Sequence, residues 1–198
     1  MVRQRTPSGA FTLIEVIACI SIIALLIGIL VPSLRWARKS GQSTVCLGNL
    51  HSFGPSITLY RDANKSLLPF ADRSVDLRIG AIAPFDALQP YLGCELPRID
   101  DQGTIITYKP FWCPADREVA MDRGWSYQYT PADLMAMYPI RTVTAFLDRD
   151  PATIIMCDGL PRHGGDKTKG FVLQGQNVLR IDGTAVTARP DNSVSPGM

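Results

Sequence analysis

The sequence is short of the residues and patterns that usually mark an enzyme or a metal site. Its 198 residues include only two histidines, His51 and His163. It has no Gly-x-Ser-x-Gly elbow, P-loop, dinucleotide fingerprint or His-Glu-x-x-His pattern. A metal site at His163 would have to recruit Asp158, Asp182 or Cys157, whose spacing matches no familiar ligand set. We therefore expect no catalytic residues, no bound metal and no enzyme activity.

The chain also lacks a strong excess of charge of either sign. Twenty Lys and Arg against 18 Asp and Glu leave a formal net charge of +2. No helix-turn-helix, zinc-finger pattern or long basic run accompanies that small charge. We expect no nucleic-acid partner.

One long apolar run near the amino terminus dominates the sequence. Between Phe11 and Val31 the only charge is Glu15, and after Glu15 the only plainly polar residue is Ser21. As an α-helix the run spans about 30 Å, the thickness of the hydrocarbon core of a bilayer. It predicts one membrane-spanning helix over residues 11–32, in which a carboxylate is costly enough to suggest a specific role.

Positive charge flanks this run on both sides. Arg3 and Arg5 lie in a segment without acids, residues 1–10, which is typical of a cytoplasmic leader. Beyond the run, Trp36 is typical of the aromatic belt at a membrane interface. The charges alone do not set the orientation of the helix, because a second basic cluster surrounds this tryptophan: Arg35, Arg38 and Lys39.

Helical periodicity continues past the membrane segment, over residues 33–64. Pro32 should kink or loosen the helix because proline removes a backbone hydrogen bond, and a bend or interruption is expected at Gly54-Pro55. Apolar and small residues recur every three to four positions as far as Asn64, so this half predicts an amphipathic helix that covers a small sheet. The stripe comprises Leu34, Ala37, Gly41, Val45, Gly48, Phe53, Ile57 and Tyr60.

The remaining segment, residues 65–189, combines short strand patterns with many turn residues. Short helices are expected at Phe85–Leu92 and Pro131–Met137. Asp182-Gly183 predicts a two-residue hairpin turn, which needs a positive φ, and residues 190–198 are polar enough to be a disordered tail. Strands are predicted at Thr104–Tyr108, Trp125–Tyr129, Val143–Leu147, Thr153–Cys157, Gly170–Leu173, Asn177–Ile181 and Thr184–Ala188.

Five cysteines raise the question of disulfides. Cys19 lies in the apolar run and is expected to be an inert thiol. If the globular part lies outside the cytoplasm, the other four allow three full pairings. Cys94 with Cys113 closes the shortest loop and is the favoured pair, and buried free thiols are the alternative for Cys46, Cys94, Cys113 and Cys157.

The residues at the start of the apolar run resemble a known processing signal. The stretch Gly9–Glu15 reads Gly-Ala-Phe-Thr-Leu-Ile-Glu, which resembles the signal of type IV pilins and type II secretion pseudopilins. The resemblance implies that a prepilin peptidase cuts between Ala10 and Phe11 and that Phe11 is then N-methylated. It also implies that Glu15 serves subunit assembly by neutralising the terminus of a neighbouring subunit. The family usually has Gly before the cut, where this chain has Ala10.

Weaker motifs later in the chain resemble one bacterial branch of pilin-like proteins. Cys46–Leu50 is similar to its Cys-Leu-x-Asn-Leu segment, and Phe111–Asp116 also resembles that branch. The end of the chain resembles its His…Asp-Gly signature through His163 and Asp182-Gly183, with Asp166–Gly175 as a local insertion. The order of these motifs along the chain extends the resemblance beyond the amino terminus.

The resulting prediction is an α+β, pilin-like fold, with a long amino-terminal helix packed on a small antiparallel sheet. The resemblance implies a subunit of a type IV pilus-like or type II secretion pseudopilus fibre. It would be a single-pass inner-membrane protein with its globular domain outside the cytoplasm, and a periplasmic or cell-surface fibre after assembly. The implied partners are a prepilin peptidase and methylase, other pilin-like subunits, an inner-membrane assembly platform and membrane lipid.

Some major pseudopilins bind a loop calcium, so the resemblance leaves such a site open. Asp148, Asp150 and Asp158 are the candidate ligands, although no EF-hand pattern is present. The alternative is that these are ordinary turn aspartates.

Two other interpretations of the whole chain compete with a fibre subunit. In one, the helix merely tethers an extracytoplasmic binding module or enzyme to the membrane. In the other, a secretory signal releases an enzyme. The second fits less well, because Glu15 lies where the apolar core of the signal would begin and no small-x-small cleavage site follows Gly28.

Overall fold

The structure is a computed structural model that describes residues 13–72, 77, 80, 83–116, 123–158 and 176–188, and the backbone of 194–196. It divides into two compact units, Met1–Lys39 and Ser40–Met198, which are described one at a time. Three predicted features lie outside the described residues. They are the processing site at Ala10 and Phe11, His163 with the insertion beside it, and the strand Gly170–Leu173.

One helix, α1 (Leu13–Ala63), confirms the predicted long helix and ends one residue before Asn64. The interruption expected at Gly54-Pro55 is wrong, because α1 continues through both residues. Pro55 and His51 are both exposed. Because proline has no backbone N–H, the carbonyl of His51 has no hydrogen-bond donor within the helix. The exposed position gives that carbonyl access to water, which reduces the cost of the lost hydrogen bond.

The strands that the structure describes form two antiparallel sheets. β1 (Arg98–Ile99) and β2 (Ile105–Ile106) pair as a small hairpin, the second being a shortened form of the predicted strand Thr104–Tyr108. The main sheet has the order β3-β4-β5-β6-β7. Its strands are β3 (Tyr127–Tyr129), β4 (Ile154–Asp158), β5 (Asn177–Arg180), β6 (Ala185–Ala188) and β7 (Val194–Pro196).

Four strands of the main sheet, β3 to β6, confirm predicted strands with ends shifted by a residue or two. β7 lies within residues 190–198, for which the sequence predicts a disordered tail, and its Val194 pairs with Ala188 of β6. A free backbone edge on β6 supplies the hydrogen-bonding partner that the polar composition of the tail does not reveal.

The hairpin between β5 and β6 turns at Asp182-Gly183 as predicted, but its loop is one residue longer. The Arg180 N–H donates to the carbonyl of Thr184 at 2.9 Å, so Ile181, Asp182 and Gly183 form the loop. Gly183 has a φ of +85°, and the Asp182 carboxylate accepts bonds from the Thr184 N–H at 2.8 Å and hydroxyl at 2.6 Å. This is the three-residue hairpin with glycine in the left-handed position.

Within the described ranges, three shorter helices follow α1. The predicted helices at Phe85–Leu92 and Pro131–Met137 correspond to α2 (Pro84–Leu92) and α3 (Pro131–Met135). The predicted strand Val143–Leu147 is wrong, because this segment belongs to α4 (Ile140–Leu147). Its buried residues, Val143, Thr144 and Leu147, follow helical spacing, and burial of that face outweighs the strand preference of its β-branched residues.

The second unit, Ser40–Met198, is called the globular unit below. Its core lies between the second half of α1 and the main sheet. Cys46, Leu50, Phe53 and Ile57 are buried on one face of the helix, within the same apolar cluster as strand residues of the sheet. The Phe53 ring lies 5.1 Å from that of Phe85, measured between centroids. An α-helix packed on an antiparallel sheet confirms the predicted α+β, pilin-like fold. The other members from the sheet and its approach are Trp125, Tyr127, Tyr129, Ile155, Met156, Leu179 and Ile181.

Candidate functional site

The first half of α1 is an apolar surface. Every residue from Leu13 to Val31 is exposed, and the large apolar side chains in this range extend from 41% exposure at Val31 to 81% at Leu13. Among the described residues, α1 is the one helix long and apolar enough to cross a membrane. A soluble protein rarely exposes so large an apolar surface, so lipid or another protein is expected to cover it.

Ser21, the polar residue within the run from Val16 to Val31, is compatible with an apolar environment. The Ser21 hydroxyl donates a hydrogen bond of 2.8 Å to the carbonyl of Ile17, one turn earlier. The hydroxyl is therefore satisfied within its own helix. The run from Val16 to Val31 can enter a bilayer or a bundle of helices without leaving a hydroxyl donor unpaired.

Glu15 lies in the first turn of α1 and is exposed. An acid there interacts favourably with the positive end of the helix dipole. The same position places a carboxylate at one end of the apolar surface, four residues after Phe11 in the sequence. A carboxylate covered by apolar helices costs on the order of 2.5–3.5 kcal/mol at the bilayer centre and less near an interface.

In the globular unit, a disulfide joins Cys46 of α1 to Cys113. The favoured pairing of Cys94 with Cys113 is therefore corrected, and Cys94 is a free, half-buried thiol. Loop length favoured the wrong partner because the Cys113 segment crosses α1, which brings together two cysteines 67 positions apart. Cys19 and Cys157 are also free.

Hydrogen bonds beside the disulfide hold the same segment against α1. The Asn49 side-chain amide donates to the carbonyl of Trp112 at 2.8 Å and to the Tyr127 hydroxyl at 3.0 Å. Burial raises the pKa of Tyr127 well above its usual range, with smaller contributions of the same sign from Asp158 and Asp116, while the bond from Asn49 acts in the opposite direction. Tyr127 therefore acts as a neutral hydrogen-bonding group.

A second buried contact between α1 and the sheet was not found by sequence reasoning. Asn177 of β5 is fully buried, and its side-chain amide donates to the carbonyl of Ser43 at 3.0 Å. Its side-chain oxygen accepts a bond of 2.7 Å from the Thr187 hydroxyl, and its backbone N–H donates to Asp158 at 3.2 Å. No local pattern in the sequence distinguishes this asparagine from one in a turn.

The three aspartates considered as calcium ligands have other partners in the structure. Asp148 accepts bonds of 2.7 and 2.8 Å from Arg61, and Asp150 accepts one of 2.8 Å from the Ala152 N–H. Asp158 is buried against Asn177. Within the described ranges, no three residues of the metal-binding types come together. His51, the one histidine among the described residues, is exposed on α1.

Comparison with known protein families identifies a motif in the amino-terminal segment. The prokaryotic N-terminal methylation motif matches residues 5–31, which covers Glu15 and the apolar surface. No curated protein and no solved structure matches the chain. The chain therefore carries the prepilin-type signature, on a long helix followed by small antiparallel sheets. That signature supports a prepilin peptidase substrate of the pilin or pseudopilin type, and together with the apolar helix it suggests membrane anchoring. It points to a structural subunit rather than an enzyme.

Proposed function

We propose that the protein is a subunit of a type IV pilus-like or type II secretion pseudopilus fibre. The supporting observation is that the methylation motif, residues 5–31, coincides with the exposed apolar half of α1. A helix with this surface is suited first to a lipid bilayer and then to a bundle of equivalent helices. Before assembly the subunit is a single-pass inner-membrane protein with its globular unit outside the cytoplasm.

Processing produces the group that assembly requires. Cleavage between Ala10 and Phe11 creates a positive α-amino group next to the apolar surface, and methylation to a secondary amine keeps it positive. In a bundle of α1 helices this amine meets the Glu15 carboxylate of a neighbouring subunit. The pair removes the cost of an uncompensated charge among apolar side chains. Prepilin peptidase and methylase, other pilin-like subunits and an inner-membrane assembly platform are the partners this proposal requires.

The Glu15→Ala variant tests this role. We expect it to stay in the membrane fraction of its host, because the apolar run is intact, and to be lost from sheared or extracellular fibres. Asp62→Ala is the matched control, because it removes an exposed acid from the other end of the same helix. A protein that uses α1 only as a tether would tolerate both changes. Normal fibre incorporation of Glu15→Ala would therefore refute the assembly role of Glu15, whereas absence of the unmodified protein from fibres would favour a tethered binding module or enzyme.

A further inference from the structure

A basic and aromatic cluster follows the membrane segment immediately. Arg35, Trp36, Arg38 and Lys39 are all exposed, and the Trp36 side chain is 83% exposed. The cluster begins about 6 Å along the helix from Val31, the last residue of the apolar run. It lies just beyond the methylation motif, which ends at residue 31.

The three cations share one side of α1. Arg35, Arg38 and Lys39 are spaced i, i+3 and i+4, which places them on a common face of a helix. Within the described part of the chain, the one salt bridge joins Arg61 to Asp148 and involves none of the three. Three adjacent cations repel one another, so an anion from outside the chain would stabilise them.

The proposed orientation makes this cluster unusual. With the globular unit outside the cytoplasm, these charges lie on the side of the membrane where Lys and Arg are normally scarce. Removal of the leader also removes Arg3 and Arg5 from the cytoplasmic flank. The distribution of positive charge is therefore unfavourable for an orientation with the globular unit outside. A binding role for these residues on the outer side would explain why they are there.

We propose that Arg35, Trp36, Arg38 and Lys39 form a basic collar that binds anionic phospholipid on the outer side of the membrane. The position is one turn beyond the hydrocarbon segment, where lipid phosphates lie. Long basic side chains reach the phosphates while their stems stay against apolar surface, and an indole ring prefers this depth. Negative lipids attract each nearby Lys or Arg. The collar holds the subunit at a fixed depth before assembly. This inference rests on the proposed membrane anchor.

The test uses the purified full chain in vesicles that contain equal amounts of phosphatidylglycerol and phosphatidylcholine. In one preparation the phosphatidylglycerol chains are brominated, and in the other the phosphatidylcholine chains are. Trp36 fluorescence is obtained by subtracting the signal of Trp36→Phe. We expect brominated phosphatidylglycerol to quench Trp36 with an apparent association constant at least ~5-fold above that of brominated phosphatidylcholine at low salt, and the ratio to fall as salt rises.

Two triple variants test which charges are responsible. In Arg35→Gln/Arg38→Gln/Lys39→Gln the quenching ratio should fall to about 1, because no cation remains in the collar. Arg98→Gln/Lys109→Gln/Arg141→Gln removes the same charge from exposed residues of the globular unit and should keep the full ratio. Equal quenching by the two lipids in the unmodified protein would overturn the proposal, and so would equal losses in both triple variants.

Two further measurements distinguish a lipid-binding collar from a soluble-phosphate site and from a failed membrane anchor. If inorganic phosphate abolishes the preference while chloride at the same ionic strength does not, the collar binds soluble phosphate rather than a lipid surface, and the proposal fails. Flotation of the protein with pure phosphatidylcholine vesicles tests the anchor itself. A protein that floats but shows no lipid preference refutes the collar alone, whereas one that does not float refutes the membrane anchor and the proposed function with it.

Discussion

Gly54 of α1 lies directly against Gly183 in the β5–β6 hairpin. A Cβ atom placed on Gly54 would lie 2.6 Å from the carbonyl oxygen of Gly183, a distance that real side chains essentially never adopt. The atom it would meet is backbone, which cannot rotate away. Gly54 is therefore required by close packing of a helix on a turn, although beside Pro55 it looks like a helix-breaking signal.

Replacement of Gly54 by alanine should destabilise the globular unit. We expect the free energy of unfolding to fall by about 1–3 kcal/mol, as for other overpacked sites. Urea unfolding of the full chain in detergent micelles, followed by tryptophan fluorescence, measures this change. Gly48→Ala is the matched control, because nothing lies within 4 Å of its added Cβ. Alanine's higher helix propensity should stabilise that variant by up to about 1 kcal/mol. Changes of the same sign in both variants would contradict the role of close packing at Gly54.

The disulfide should contribute strongly to stability. Cys46→Ala/Cys113→Ala removes a link between residues 67 positions apart, for which loop entropy predicts a loss of about 4 kcal/mol within a usual range of 2–5. Urea unfolding with and without reductant checks this prediction, since reductant should weaken the unmodified protein but not the double variant.

Cys94→Ala provides the control for the disulfide, and we expect it to change the free energy of unfolding by about 1 kcal/mol or less. Peptide mapping under non-reducing conditions should recover a cross-linked pair that contains Cys46 and Cys113. A cross-link between Cys94 and Cys113 would show the described pairing to be wrong.

Stability should fall at alkaline pH in a way that depends on Cys157. Burial first, and the neighbouring Asp158 charge second, raise the pKa of Cys157 from its ordinary 9.0 to about 12. The folded state therefore keeps a proton that the unfolded chain releases above pH 9. This contribution is complete below pH 9 and is lost as the pH rises towards 12, at about 1.4 kcal/mol per pH unit.

The measurement for Cys157 is the slope of unfolding free energy between about pH 9 and pH 10, compared between the unmodified protein and Cys157→Ala, because the tyrosines titrate in both proteins and their contribution cancels. Cys157→Ala should reduce that slope by up to about 1.4 kcal/mol per pH unit, the value for one proton. Val178 packs in the same cluster as Cys157, so Val178→Ala lowers stability while the thiol remains. An unchanged slope in Cys157→Ala, or an equal flattening in both variants, would argue against a buried protonated thiol.

The local features of the fold could be predicted from the sequence, whereas the contacts between distant segments could not. The long helix, its end near Asn64 and the turn at Asp182-Gly183 follow from periodicity and turn chemistry, which act over a few residues. The pairing of Cys46 with Cys113 depends on which segment crosses α1, so spacing along the chain could not select it. The buried role of Asn177 likewise requires the assembled sheet.

The errors in secondary structure have the same origin. Val143 and its neighbours favour a strand by composition, but α4 forms because its buried face follows helical spacing. Gly54-Pro55 suggests a break by residue type, but the exposed position of Pro55 and the close packing of Gly54 make both residues compatible with a continuous α1. In each case tertiary packing overrides local preference.

The central claim is that processing exposes Phe11 as a methylated, positively charged terminus for assembly. Mass spectrometry of the amino-terminal peptide, on protein purified from its own host, tests this most directly. We expect a chain that begins at Phe11 and carries one added methyl group on its α-amino nitrogen. A native protein that retains Met1 and the leader, or one that is cut beyond Pro32, would contradict the claim.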